Sequence, residues 1–252
     1  MIPKIIHYCW FGKKPLSELA IKCINSWKTY LPDCKIIEWN ELNFDVNSVP
    51  YVKEAYAVKK YAFVSDYARF RILNEYGGIY FDVDVEVVKN MDDIISRGPY
   101  MGCQKQSNDS SLPEDADELL VNPGLGFASY PQMPFLKEML DFYEKSHFLK
   151  EDGSFNLETI VTYTTSHLMK YGLVNIRDIQ NVAGFNIYPK EFFNPRESNG
   201  RIVLTNNTYS IHHFDASWQS PMLKFKIKII HFILDCFGTG NIKRILVKLK
   251  IR

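Results

Sequence analysis

The chain has 252 residues, 46% of them apolar and 23% charged, with 15 Tyr, 17 Phe and 4 Trp. That composition excludes a disordered chain and a mini-scaffold, and it fits one large domain or two small ones. Five cysteines without a C-x-x-C pair argue against a disulfide framework or zinc knuckle and suit a reducing compartment, while the net charge of only +1 hides a strong asymmetry. Beyond Pro221, eight basic residues (Lys224, Lys226, Lys228, Lys243, Arg244, Lys248, Lys250, Arg252) face one acid, Asp235, and the remainder holds 22 basic and 28 acidic residues. A mildly acidic body with a basic, apolar tail points to an anionic surface as partner.

Lys4 interrupts a very short apolar start, so no signal peptide is expected. The opening Lys4–Gly12 reads as a buried strand ending in a loop. Leu19, Cys23, Ile24 and Trp27 have helical spacing, and Lys35–Trp39 reads as a second strand, which together suggest a βαβ start. Residues 51–76 predict one or two helices stopped by Gly77-Gly78. Ile79–Val88 alternates as a single strand, residues 105–118 read as a polar loop, and Leu136–Phe148 and Glu158–Tyr171 read as helices. Phe185–Tyr188 and Ile202–Leu204 read as short strands. The longest uncharged run, Leu119–Leu136, contains three prolines and makes a poor bilayer span, so no transmembrane helix is expected.

Within the alternating strand, Tyr80, Asp82, Asp84 and Glu86 share the face opposite Ile79, Phe81, Val83, Val85 and Val87. Two converging carboxylates offer hard oxygen ligands, suited to Mg²⁺ or Mn²⁺ held together with substrate phosphates. Ser65 is predicted to cap the preceding helix, and Asp66 and Arg69, at i and i+3, to share a face of its first turn. A second acidic pair, Asp115 and Asp117, lies in the polar loop and reads as a solvated turn. His7, His147, His167 and His231 carry no partner signal and read as structural.

The pattern S-D-x-x-R-x-x-x-L-x-x-x-G-G-x-Y-x-D-x-D runs from Ser65 to Asp84 without a gap, nine fixed positions in twenty. It closely resembles the sugar-binding DXD region of glycosyltransferase family 32, which includes capsular-polysaccharide enzymes and fungal initiating mannosyltransferases, and the pattern recurs in glucosylating bacterial cytotoxins. The opening Ile2–Gly12 resembles the family's first strand, and Asn186–Pro195 and Asn207–Trp218 resemble its C-terminal signature. The resemblance covers roughly residues 2–220. It implies a GT-A-like, Rossmann-type α/β domain over 1–220, a nucleotide-sugar donor, a divalent metal and retention of anomeric configuration. Carried over by position, Trp10 would stack on the nucleobase, and Asp66 and Arg69 would hold the sugar and ribose. Asp82 would touch the sugar or ribose and the metal, Asp84 would be the main carboxylate ligand, and Ser217 and Trp218 would close over the diphosphate. His212 or His213 would complete the metal shell, His213 being preferred. Trp10 as core packing, and the His pair as a local hydrogen-bonding feature, stay open beside these roles.

The expected activity is therefore transfer of a hexosyl or N-acetylhexosaminyl group from a UDP-sugar to a lipid-linked surface glycan. A nucleotide-sugar-binding regulatory module without transfer, or a metal-dependent phosphodiesterase, is the alternative. In the tail, Ile242, Ile245, Leu246 and Leu249 form an apolar stripe among Lys243, Arg244, Lys248 and Lys250. Residues 221–252 thus predict a basic amphipathic appendage that binds an anionic leaflet rather than nucleic acid, placing the protein at the cytoplasmic face of a membrane.

Overall fold

The apolar run Ile5–Cys9 forms strand β1, and Ser17 caps helix α1 (Glu18–Tyr30) by accepting a hydrogen bond from Ala20 N at 3.1 Å. Strand β2 (Lys35–Trp39) then lies parallel to β1, in register from Ile5 on Lys35 to Cys9 on Trp39. The βαβ start is present as the sequence indicates. These coordinates come from a computed structural model that describes residues 1–106, 119–197 and 200–215. The tail 221–252, Asp115, Asp117, Ser217, Trp218 and His231 lie outside the described residues.

Residues 50–76 form two helices, α2 (Pro50–Ala57) and α3 (Tyr61–Tyr76), and α3 ends at Gly77 with φ 62°. Ser65 is not the cap of α3. Lys60 precedes the first turn, and Ser65 sits inside the helix, donating its hydroxyl to Tyr61 O at 3.2 Å. Asp66 and Arg69 therefore lie in the body of α3 and not in its first turn. Strand β3 (Gly78–Tyr80) joins the free edge of β1 in parallel. The approach is so close that a Cβ on Gly78 would stand 2.6 Å from Ile5 O, and with φ 97° the position suits glycine.

The alternating segment after Gly78 is not one strand. Val85 N donates to Asp82 O at 3.0 Å, closing a turn that ends β3 and starts β4 (Val85–Val87) in a different sheet. Period-two alternation survives such a break because the turn exposes its polar residues as a strand would. Helix α4 (Asp92–Ser96) and strands β5 (Tyr100–Lys105), β6 (Leu120–Asn122) and β7 (Phe127–Ser129) follow, then helices α5 (Pro134–Glu144) and α6 (Ile160–Lys170). Strands β8 (Gln180–Val182) and β9 (Phe185–Tyr188), helix α7 (Lys190–Phe193) and strand β10 (Ser210–His212) complete the described elements. Ile202–Leu204 is not a strand. Its regular pairing is a single bridge between Ile202 and Arg196.

The main sheet runs β2-β1-β3-β7-β5-β9-β8, with β6 paired to β5, while β4 and β10 form a separate antiparallel pair. Alternation along β1 sends Ile6 and Tyr8 to one face and Cys9 to the other, so helices pack on both faces. Trp27 of α1 lies in one core, and Phe63, Phe70 of α3 and Phe135, Tyr143 of α5 lie in the other. This mixed α/β layout with a central sheet is the one the sequence resemblance implies. No helix among the described residues is long and apolar enough to cross a membrane.

Candidate active site

Strands β1 and β3 are parallel, so the chain leaves both at one edge of the sheet, as Trp10-Phe11 and as Phe81–Asp84. Ligand sites in open α/β sheets form outside such carboxyl ends. There Asp82 accepts the Tyr80 hydroxyl at 3.2 Å and faces the Arg69 guanidinium, whose Nη2 lies 3.3 Å from Asp82 Oδ1 and 3.1 Å from Asp66 Oδ1. Arg69 is buried, sits 4.7 Å from the Tyr80 ring centre, and keeps its Nη1 without a hydrogen-bond partner. Asp66 also receives the backbone N–H of Ile160, the first residue of α6.

One guanidinium thus serves two carboxylates, Asp66 buried and Asp82 partly exposed. Burial pushes the Asp66 carboxyl up to about 7, with Arg69 opposing and Asp82 reinforcing the rise. Burial acts on Asp82 in the same sense, but Arg69, His212 and Tyr80 together override it and hold that carboxyl below its ordinary value. Arg69 itself stays charged because Asp82, Tyr80 and Asp66 outweigh its desolvation.

The β4–β10 pair delivers the third group. His212 lies opposite Val85, and its Nε2 stands 3.3 Å from Asp84 Oδ1 and 3.7 Å from Asp82 Oδ2. The atom is buried and has no hydrogen-bond partner. Asp84 Oδ2 accepts the Asp215 N–H at 2.8 Å, so its Oδ1 is the oxygen left facing His212. Asp82, Asp84 and His212 are the cluster among the described residues whose donor atoms lie close enough to share an ion, all within 4.8 Å. His213 stands apart from it. The His213 ring turns to Glu86 Oε2 at 2.8 Å. His212, and not the preferred His213, faces the acids because successive residues of a strand point to opposite sides.

Trp10 is half-buried, packed against the α1-side core, and its indole N–H donates to Lys14 O at 2.6 Å, which leaves no free donor for a phosphate. Ser217 and Trp218 fall outside the described residues. His147 and His167 pair with Glu54 and Glu138 at 2.7 and 2.6 Å, ties within the helical layer.

The sequence reading overlooked the Asn122–Leu125 turn between β6 and β7. Gly124 O accepts the Asp82 N–H at 3.2 Å, Asn122 Oδ1 accepts the Gly124 N–H at 2.6 Å, and a Cβ on Gly124 would collide with Asp82 Oδ2. The Pro123-Gly124 dipeptide is the turn signal that could have drawn notice to it.

Residues 17–100 match the family described as a glycosyltransferase sugar-binding region containing a DXD motif, a span that holds Asp66, Arg69, Asp82 and Asp84. With the Asp-Asp-His cluster, in which His212 is buried and both acids are partly exposed, that match supports similarity to DXD-motif glycosyltransferases. Over that span the chain is similar to DXD-motif glycosyltransferases of family-32 type. It is 28% identical over 268 residues to an uncharacterised glycosyltransferase of Acanthamoeba polyphaga mimivirus, covering 99% of this chain and 98% of that one. It is 26% identical over 178 residues to inositol phosphoceramide mannosyltransferase 1 of Schizosaccharomyces pombe, covering 66% of this chain and 48% of that one. Among solved structures, a glycosyltransferase involved in glycosylation of the major capsid of PBCV-1 aligns at 11% identity and TM-score 0.43, over 85% and 95% of the two chains.

Proposed function

We propose that the protein is a metal-dependent, retaining glycosyltransferase that moves a hexosyl or N-acetylhexosaminyl group from a UDP-sugar to a lipid-linked glycan. The observation that carries this reading is the buried, unpartnered Nε2 of His212 beside Asp84 and Asp82. A buried polar atom without a partner is costly, and two carboxylates with an imidazole suit a divalent ion, Mn²⁺ or Mg²⁺. Such an ion, when bound, offsets the charge that develops on a leaving diphosphate.

The chain's own residues prepare that site. Arg69 keeps Asp82 ionised, and the Asp215 N–H fixes Asp84 so that one oxygen stays available. His212 Nδ1 accepts the Phe214 N–H at 3.2 Å, a contact that turns Nε2 toward the two carboxylates. A divalent ion would be held here by Asp82, Asp84 and His212. The unpartnered Nη1 of Arg69 is a donor available to a sugar hydroxyl or phosphate.

We further infer a division near residue 220, with 221–252 holding the protein to the anionic cytoplasmic leaflet where its acceptor resides. The charge of the tail supports this. The test is a panel of nucleotide sugars assayed for hydrolysis with Mn²⁺ and with EDTA, the released sugar being read by NMR for its anomeric form. Mn²⁺-dependent release of one sugar with retained configuration is expected. Binding without hydrolysis, or hydrolysis untouched by EDTA, overturns the reading. Removal of residues 222–252 should abolish sedimentation with anionic liposomes and spare hydrolysis, and a truncated protein that still sediments refutes the anchor.

A further inference from the structure

Strand β10 delivers His212, and two of the next three residues are bound back onto Asp84. His213 N donates to Asp84 O at 2.9 Å, and Asp215 N donates to Asp84 Oδ2 at 2.8 Å. Between them Phe214 adopts φ 52°, a left-handed conformation that a bulky side chain takes only at a cost. Its ring lies 4.1 Å from the His212 ring, centre to centre. Such backbone strain persists where the surroundings over-determine it.

The His213 side chain supplies a large part of that determination. Its Nε2 meets Glu86 Oε2 at 2.8 Å, and the same oxygen takes Lys22 Nζ of α1 at 2.7 Å. Glu86 lies on β4, opposite Ile211 of β10, so the bond spans the small sheet diagonally. Helix α1 is anchored there by a second link, Ser26 Oγ accepting the Val87 N–H at 2.9 Å. Neither Lys22 nor Glu86 points into the acid cluster, and His213 points away from it.

We propose that Lys22, Glu86 and His213 form a positioning chain that fixes the 213–215 turn and thereby sets His212 Nε2 and Asp84 Oδ1 at the spacing an ion needs. This rests on the metal site proposed above. The three are positioning residues, not ligands. Partners of metal ligands and of their supports commonly change affinity about 10–100-fold when removed.

The experiment measures Mn²⁺ affinity of the full chain by titration calorimetry and by the EPR signal of free ion, with melting temperature recorded separately. Glu86→Ala and His213→Ala should each weaken Mn²⁺ binding about tenfold. The double variant should be no worse than about the weaker single, because both cut the same link. His213→Gln keeps a donor toward Glu86 and should restore affinity to within about threefold of wild type. Lys22→Met should cost about twofold at low salt and nothing in about 0.5 M salt, since its charge is exposed and screened. Lys4→Met, which breaks the exposed Lys4–Asp33 pair far from the site, is the control and should leave affinity unchanged. A wild type that binds Mn²⁺ while Glu86→Ala and His213→Ala lower only the melting temperature overturns the positioning chain and leaves the metal site standing. Fully additive losses in the double variant also overturn it. A wild type with no Mn²⁺ affinity removes the metal site and this inference together.

Discussion

His7 and His212 are both buried histidines on strands of the α/β body, yet their surroundings are opposite in kind. His7 has every ring atom satisfied, with Nδ1 accepting the Trp39 indole N–H at 3.0 Å and Nε2–H donating to Gly77 O at 3.0 Å. Burial draws its pKa down to about 4, the Gly77 carbonyl opposing weakly, so the ring is neutral and welds β1, β2 and the end of α3 together. His212 is equally hidden, but its Nε2 has no partner and faces two carboxylates. Burial alone therefore does not separate a structural histidine from a functional one. What sets His212 apart is where its open atom points, for Nε2 faces two carboxylates while both nitrogens of His7 are tied to neutral partners.

That contrast can be broken at either end. At the open end, Asp84→Asn keeps the shape and removes the charge, and donor turnover should fall by more than about a hundredfold, about 2.7 kcal/mol of barrier, with little change in melting temperature. Near-wild-type turnover at saturating Mn²⁺ would erase the functional side of the comparison. At the closed end, His7→Phe fills the space but strands the Trp39 N–H and the Gly77 carbonyl, and should cost about 2 kcal/mol in denaturant titration, roughly 4–8 °C of melting temperature. Its Mn²⁺ affinity should match wild type. A shift in affinity without loss of stability would reverse the two assignments. Gly124→Ala pushes a methyl into Asp82 Oδ2, and Mn²⁺ affinity should drop about tenfold, as for other losses of support around a metal site. Unchanged affinity would mean that Asp82 is free to move.

The last expectation concerns acidity. The folded-state pKa of His7 is lowered from 6.5 to about 4, so its contribution is complete above 6.5 and is lost as pH falls through that window. The stability gap between wild type and His7→Phe should therefore shrink by more than about half from pH 7 to pH 4. A gap that stays constant, or widens in acid, would show that His7 is not held neutral.

Much of the frame was legible because its signals are local. The apolar run Ile5–Cys9, the helical spacing of Leu19, Cys23, Ile24 and Trp27 and the Gly77 stop each act within a few residues, and each produces the element its chemistry predicts. Ser65 misled for a reason of the same scale. A hydroxyl that can cap a helix can equally bond back to the carbonyl four residues earlier, as it does with Tyr61. The break between Tyr80 and Val85 was hidden because the alternation of Ile79–Val88 continues across the turn, although β4 pairs with β10 and not with the main sheet. Asp82 and Asp84 were readable from their motif, but the support given by Gly124 and by Asp215 is long-range and leaves no local pattern. The choice between His212 and His213 depended on the register of β10 against β4, a quantity that spacing along the chain does not contain.

The pairing of β4 with β10 also sets a timetable. Asp84 and the Asp215 amide that orients it are 131 residues apart, so the contact closes a loop spanning more than half the chain. A ribosome adding about 5–20 residues per second exposes the acidic motif roughly 7–26 s before its closing strand emerges. During that interval the β1-α1-β2 and α3-β3 units can consolidate from local contacts, whereas the Asp-Asp-His constellation is still incomplete. The Asp-Asp-His cluster in this architecture is thus completed late in synthesis, after the scaffold, and a nascent chain carries its DXD motif in an unfinished state.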